Sequence, residues 1–114
     1  MISLNKDMPV FPERKGTSVR RPIHDPATIK VEEWSFEPGV QFYGHPHEVS
    51  EITYVIKGKM RLKQGGEEFV LEPGCYYYTP AGAVHQIIEI IEPTTILIVG
   101  TSSTTPKNRA SSYH

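Results

Sequence analysis

The amino-acid sequence predicts an all-β domain, closed as a sandwich or barrel. Short segments rich in β-branched and aromatic residues follow one another from residue 29 to residue 99. Breaks rich in Gly and Pro separate them, and no stretch carries the 3.6-residue apolar period of an amphipathic helix. Closing such strands on themselves also removes exposed sheet edges.

Residues 1–28 combine Pro9, Pro12, Pro22 and Pro26 with many charges and show no period of two. They read as an irregular N-terminal arm with room for one short edge strand. Strands are predicted at Ile29–Phe36, Ile52–Ile56, Met60–Lys63, Glu67–Leu71, Tyr76–Thr79, His85–Ile91 and Thr94–Val99. The breaks hold Pro38-Gly39, Gly58, Gly65-Gly66, Pro73-Gly74, Pro80–Gly82 and Pro93. Gly65-Gly66 can supply the positive φ angles of a tight hairpin. The tail TSSTTPKNRASSYH is too polar to bury much surface against its ordering entropy. The division is therefore arm 1–28, β-barrel 29–100 and polar tail 101–114.

A chain of 114 residues fits one domain with a modest core. Twelve basic against 13 acidic residues leave a net charge of −1, which gives no pull toward nucleic acid or membrane. The pair Arg20-Arg21 reads as solvated surface. Cys75 is the single cysteine, so an intrachain disulfide is excluded and a reducing compartment is expected. The N-terminal stretch lacks the apolar run of a signal peptide and nothing later is long enough to span a bilayer, so the expected location is cytoplasmic.

Two clusters carry chemistry. In GVQFYGHPHEVSEITYVIKG, from Gly39 to Gly58, His45 and His47 are two apart in an extended stretch and project to one face. Glu51 opens the next strand, whose alternation sets Glu51, Thr53 and Val55 on one face and Ile52, Tyr54 and Ile56 on the other. Glu48 is a rival carboxylate, pointing away from both histidines. In GCYYYTPAGAVHQIIE, from Gly74 to Glu89, His85 opens a strand just after the Pro80-Ala81-Gly82 turn. Three imidazoles and one carboxylate suit one divalent transition metal ion such as manganese, iron, nickel or zinc. Neutral imidazole and ionised carboxylate are the ligating forms. On an octahedral ion four protein ligands leave two positions for water, substrate or oxygen.

These clusters resemble the paired motifs of the cupin superfamily, G-x5-H-x-H-x3,4-E-x6-G and G-x5-P-x-G-x2-H-x3-N. Gly39, His45, His47, Glu51 and Gly58 match the first; Gly74, Pro80, Gly82 and His85 match the second. The closing Asn is replaced by Glu89, and the Asp often found after the second motif's first Gly by Cys75. The resemblance implies a double-stranded β-helix, or jelly-roll barrel, with His45, His47, Glu51 and His85 as metal ligands. It implies action on a small organic molecule and assembly as a homodimer. The leading reading is an oxygen-using, dioxygenase-type oxidoreductase, with isomerase, cyclase and decarboxylase chemistry open. The alternative is a non-catalytic metal-containing binding or sensor module.

Glu89 is the one candidate catalytic residue outside the ligand set. It shares a strand face with His85 and Ile87, which would point it into the cavity as a base or as a partner that orients a ligand. The other reading is a solvated residue near the strand end before Pro93. Cys75 reads as a buried thiol. Trp34, Phe36, Phe42, Tyr43, Tyr54, Tyr76 and Tyr78 read as core or pocket wall. His24 and His114 fit no ligand spacing, and Arg61 and Lys63 read as an outer face.

Overall fold

Period-two alternation, interrupted at a few bulges, sets which residues of the long strands face inward. The structure is a computed structural model that describes residues 10–24, 29–44 and 49–101. Among them the strands are β1 (Phe11–Arg14), β2 (Thr17–His24), β3 (Ile29–Phe36), β4 (Phe42–Tyr43), β5 (Glu51–Gln64), β6 (Glu67–Leu71), β7 (Tyr76–Thr79) and β8 (His85–Thr101). They form one antiparallel sheet in the order β1-β2-β3-β8-β5-β6, with β4 added on β8 and β7 on β5. No helix is present among the described residues, and none is long and apolar enough to cross a membrane.

The frame is the long ladder between β5 and β8, which runs from Glu51↔Gly100 to Gln64↔His85. Each of these strands joins two of the segments expected separately. The joints form a corner: the register shifts repeatedly between Val55 and Met60, and Gly58 adopts a φ of 96°. A Cβ at Gly58 would overlap the Pro93 carbonyl, so only glycine lets the two strands approach here. The Thr94 hydroxyl fastens the corner, accepting from the Lys59 amide at 3.0 Å and donating to the Glu92 carbonyl at 2.7 Å.

The corner also changes which residues face inward. Glu51, Thr53 and Val55 are buried before it, Met60 and Leu62 after it. The inner face carries Phe36, Val55, Met60, Leu62, Leu71, Ile87, Ile90 and Ile96, each at most 7% exposed, so this is where apolar burial stabilises the fold. Each fully buried aliphatic side chain contributes roughly 1.5–3 kcal/mol. Trp34, Phe36 and Phe42 pack on this core with ring centroids 5.4 to 6.3 Å apart, and the Arg14 guanidinium covers the Phe42 ring at 4.0 Å.

The β5–β6 turn follows its sequence: Gly65 and Gly66, at φ 63° and 84°, link Gln64 to its partner Glu67. The arm region differs from expectation, because residues 11–14 and 17–24 form two strands continuing the sheet from β3. Thr17 and Val19 face inward and are buried, with Val19 opposite Trp34. Pro22 sits where the β2–β3 register shifts, which is how a strand at this place tolerates proline.

Candidate metal centre

Folded at its corner, β5 brings both of its ends to β7. Glu51 is the register partner of Thr79. The Thr79 hydroxyl also lies 3.5 Å from Gln64 Oε1, and Gln64 Nε2 is 3.4 Å from the Tyr78 carbonyl. One mouth of the barrel is closed in this way, and its inner wall is polar. Reading across strands, one row is Lys30, Gly100, Glu51 and Thr79; the next is Glu32, Ile98, Thr53 and Tyr77. Below these, the row Trp34, Ile96 and Val55 begins the apolar core.

Glu51 is 5% exposed, and its Oε2 lies 2.7 Å from Lys30 Nζ. A buried carboxylate needs such a partner, since an isolated one would be strongly disfavoured. Tyr77 faces inward beside it. Burial, assisted by the Glu51 charge and opposed by a hydrogen bond with Thr53, pushes the Tyr77 phenol up to about 12. His85 joins the same group: its Nδ1 is 3.4 Å from the Thr79 hydroxyl, and its ring meets Tyr77 edge-on at 6.0 Å. Glu51 and His85, distant in sequence, therefore converge on Thr79 and Tyr77.

His45, His47 and Glu48 lie outside the described residues. The chain on either side of them is described. Gly44, immediately before His45, donates its amide to the His85 carbonyl at 3.0 Å. A Cβ at Gly44 would overlap that carbonyl, so glycine is what lets the chain run against His85. On the other side, Val49 is buried and Ser50 precedes Glu51, its hydroxyl accepting from the Ala81 amide at 3.1 Å. Among the described residues no group of three or more His, Cys, Asp or Glu side chains gathers; these residues contribute Glu51 and His85 to the expected set. The donor set fits a divalent ion in its chemistry, since a buried carboxylate and an imidazole held through one ring nitrogen occupy the same polar mouth.

Glu89 does not join this group. A bulge between Leu62↔Ile87 and Arg61↔Glu89 adds one residue on β8, so Ile87 and Ile90 both face inward. Glu89 turns outward, is 55% exposed at the side chain and pairs with Arg61 at 3.2 Å. The expectation that it points into the cavity is corrected by this bulge, which strict alternation from His85 does not anticipate. Among the aromatics, Trp34, Phe36 and Phe42 are in the core, whereas Tyr43, Tyr76 and Tyr78 are exposed. Cys75 is half-buried against the core.

No motif in the sequence singles out the inward polar residues Lys30, Glu32, Tyr77 and Thr79, and Arg21, expected as solvated surface, instead pairs with buried Glu32. Glu32 accepts from Trp34 Nε1 at 2.9 Å and from Arg21 Nε at 3.2 Å. Their signal was available in part: Lys30 and Glu32 share parity with Trp34 and Phe36, the aromatic residues of the same strand. A surface depression of about 690 Å3, lined by residues including Val10, Arg14, Gly16 and Glu37, lies at the β1–β2 turn. It adjoins the Phe36 end of β3, opposite to Lys30, and is separate from the polar mouth.

Solved structures with this architecture are numerous. KdgF from Halomonas sp. superposes with a TM-score of 0.79 at 21% identity, covering 91% of this chain and 94% of its own. An RmlC-like cupin from Shewanella frigidimarina gives 0.78 at 16% identity, covering 92% and 93%. The polyketide cyclase RemF from Streptomyces resistomycificus gives 0.73 at 23% identity, covering 90% and 80%. At these identities the likeness establishes the fold, a cupin β-barrel. No curated protein matches the sequence. The cupin domain family matches residues 32–100, which run from within β3 to within β8, and the chain belongs to that family.

Proposed function

We propose that this cupin binds one divalent first-row ion through His45, His47, Glu51 and His85 and acts there on a small organic molecule. The observation carrying this reading is the convergence of buried Glu51 and His85 on Thr79 at the polar mouth. A bound ion would supply Lewis-acid or oxygen-activating chemistry. The chain's own residues have distinct tasks. Thr79 orients the His85 ring through Nδ1. Tyr77 keeps its proton far above neutral pH and can donate from Oη to an oxygen of the substrate. Ile98 and Trp34 form the apolar floor that keeps water from the deeper barrel.

Within this reading we favour an oxygen-using oxidoreductase. One observation favours the alternative of a binding or sensor module: among the described residues the inward carboxylates Glu32 and Glu51 are both engaged by cations, and Glu89 faces outward. The two readings are separated by turnover. Metal-replete protein is incubated with diketones, hydroxy acids and phenols under oxygen; product formation supports the enzyme, and stoichiometric binding without product supports the module. Elemental analysis of untagged protein tests the common premise. About one equivalent of manganese, iron, nickel or zinc is expected, and a chain that retains none of them and binds none on titration rejects it.

We further propose a homodimer joined through the outer face of the sheet. There Tyr78, Ile52, Val99 and Val31 form one cross-strand row, and Tyr76 lies against Tyr54 with centroids 4.6 Å apart in the next. Ile52, Tyr76 and Tyr78 are 49%, 71% and 56% exposed, an apolar surface that a second copy would cover.

A further inference from the structure

The cross-strand row Lys30–Gly100–Glu51 has glycine at its centre. Gly100 is absent from the positive-φ positions, so its backbone does not require glycine. Its missing side chain has another consequence. A Cβ there would stand 3.1 Å from Lys30 Cε and 3.2 Å from Glu51 Cγ, closer than comfortable packing. The bare backbone of β8 is thus the floor over which the β3 lysine reaches the β5 carboxylate. Lys30 is 22% exposed at the side chain and Glu51 6%, so the pair is shielded from most solvent screening. A lysine whose stem crosses a neighbouring strand to meet a buried carboxylate has lost the mobility of a surface lysine.

We propose that Lys30 is an internal counter-cation for Glu51, which neutralises that carboxylate while no metal is bound and competes with a metal for it. The proposal rests on the reading of Glu51 as a metal ligand. Among the described residues Lys30 is the cation on Glu51, and without it the metal-free protein would hold a buried carboxylate with no described counter-charge, a strongly destabilising state. With a divalent ion on Glu51, the ammonium becomes a like charge near the ion. Lys30 therefore stabilises the metal-free protein and weakens metal binding. Its net effect is to let the chain fold before metal arrives and to hold affinity below what the ligands alone would give. A lysine that only packed against the barrel wall would change both states equally.

The test compares wild type with Lys30→Met, which keeps the stem and removes the charge, and with Lys30→Arg, which restores the charge. Lys30→Gln, still able to donate a hydrogen bond, takes the place of Lys30→Met if the latter does not fold. Metal-free proteins are titrated calorimetrically with Mn2+, Ni2+ and Zn2+, and their thermal unfolding is followed with and without metal. For Lys30→Met the expected results are a lower Tm without metal, a smaller Tm deficit at saturating metal, and at least about tenfold tighter metal binding. Lys30→Arg should return the affinity toward wild type. Binding by the variant alone, with none by wild type, would also support the proposal. Equal or weaker binding by the variant, with wild type binding normally, overturns the proposal and leaves the metal reading intact. Absence of binding by both proteins overturns the two together.

Discussion

Tyr77 gives the sharpest pH dependence that this barrel should show. Its phenol lies inside the polar mouth, and burial holds its proton up to about 12, against an ordinary value near 10.0. Below pH 10 the folded and unfolded chains both carry the proton, and its contribution to stability is fully present. Between about 10 and 12 the unfolded chain releases the proton while the folded chain keeps it, so stability falls as pH rises through that window. The gap amounts to about 3 kcal/mol at one pK unit per 1.4 kcal/mol. Tyr77→Phe removes the ionisable group and the hydrogen bond with Thr53, which costs about 1 kcal/mol at neutral pH. The two proteins should therefore cross: the variant is weaker at pH 8 and stronger near pH 12. Urea unfolding followed by circular dichroism, in chelator and at unit steps of pH, measures this directly. The wild-type minus variant absorbance of tyrosinate gives the midpoint independently. Stability curves that run parallel from pH 8 to 12, or a Tyr77 midpoint near 10, would refute the buried and proton-bearing phenol.

Other perturbations reach different parts of the structure. His47→Ala should lower metal occupancy severalfold in elemental analysis, and full occupancy would remove His47 from the ligand set. Gly58→Ala places a Cβ at positive φ against the Pro93 carbonyl and should destabilise the fold by at least about 3 kcal/mol, read from the denaturation midpoint. Glu89→Gln breaks only the exposed pair with Arg61; a change below about 0.5 kcal/mol and unaltered metal content are expected, and a loss of metal would place Glu89 at the site after all. Ile52→Glu and Tyr76→Glu should return a dimer to monomer mass in light scattering, whereas a wild type that is already monomeric at high concentration rejects the proposed contact.

Much of the strand plan is legible in the residues. The boundaries read for β3, β6 and β7 are those observed, because each is a short run ended by a break or turn residue. Two features of the fold resist such reading. Gly58 and Pro93 look like ordinary breaks, yet each lies within a strand that bends through a corner, since bulges keep the ladder paired across it. The parity of Ile87-Ile88-Glu89-Ile90 is likewise set by a bulge in the pairing with β5, information that belongs to the partner strand. The candidate site divides along the same line. Glu51 and His85 are signalled by spacing, whereas Lys30 and Tyr77 are not. Lys30 is the second residue of a strand that could present its charge to water, and the middle of three consecutive tyrosines has no local reason to face inward. The register Thr53↔Tyr77 decides it. Strand β2 is obscured because its inward Arg21 is matched by an inward Glu32 on the next strand, so neither sequence segment alternates cleanly.

The corner at Gly58 and Pro93 also bears on the order in which the barrel could form. Pairing of β5 with β8 can begin at Gln64 and His85, where the intervening chain is shortest, and zip outward toward Glu51 and Gly100, where it is longest. Each added rung then lengthens the closed loop only slightly, and the entropic cost rises slowly. Gln64 and His85 would meet at that first rung, whereas Glu51 would join them beside Thr79 only once the ladder had turned its corner and β7 had docked on β5. On that order Glu51 is the last member of the group to arrive, so a signal from Glu51 would report a completed ladder rather than the onset of strand pairing.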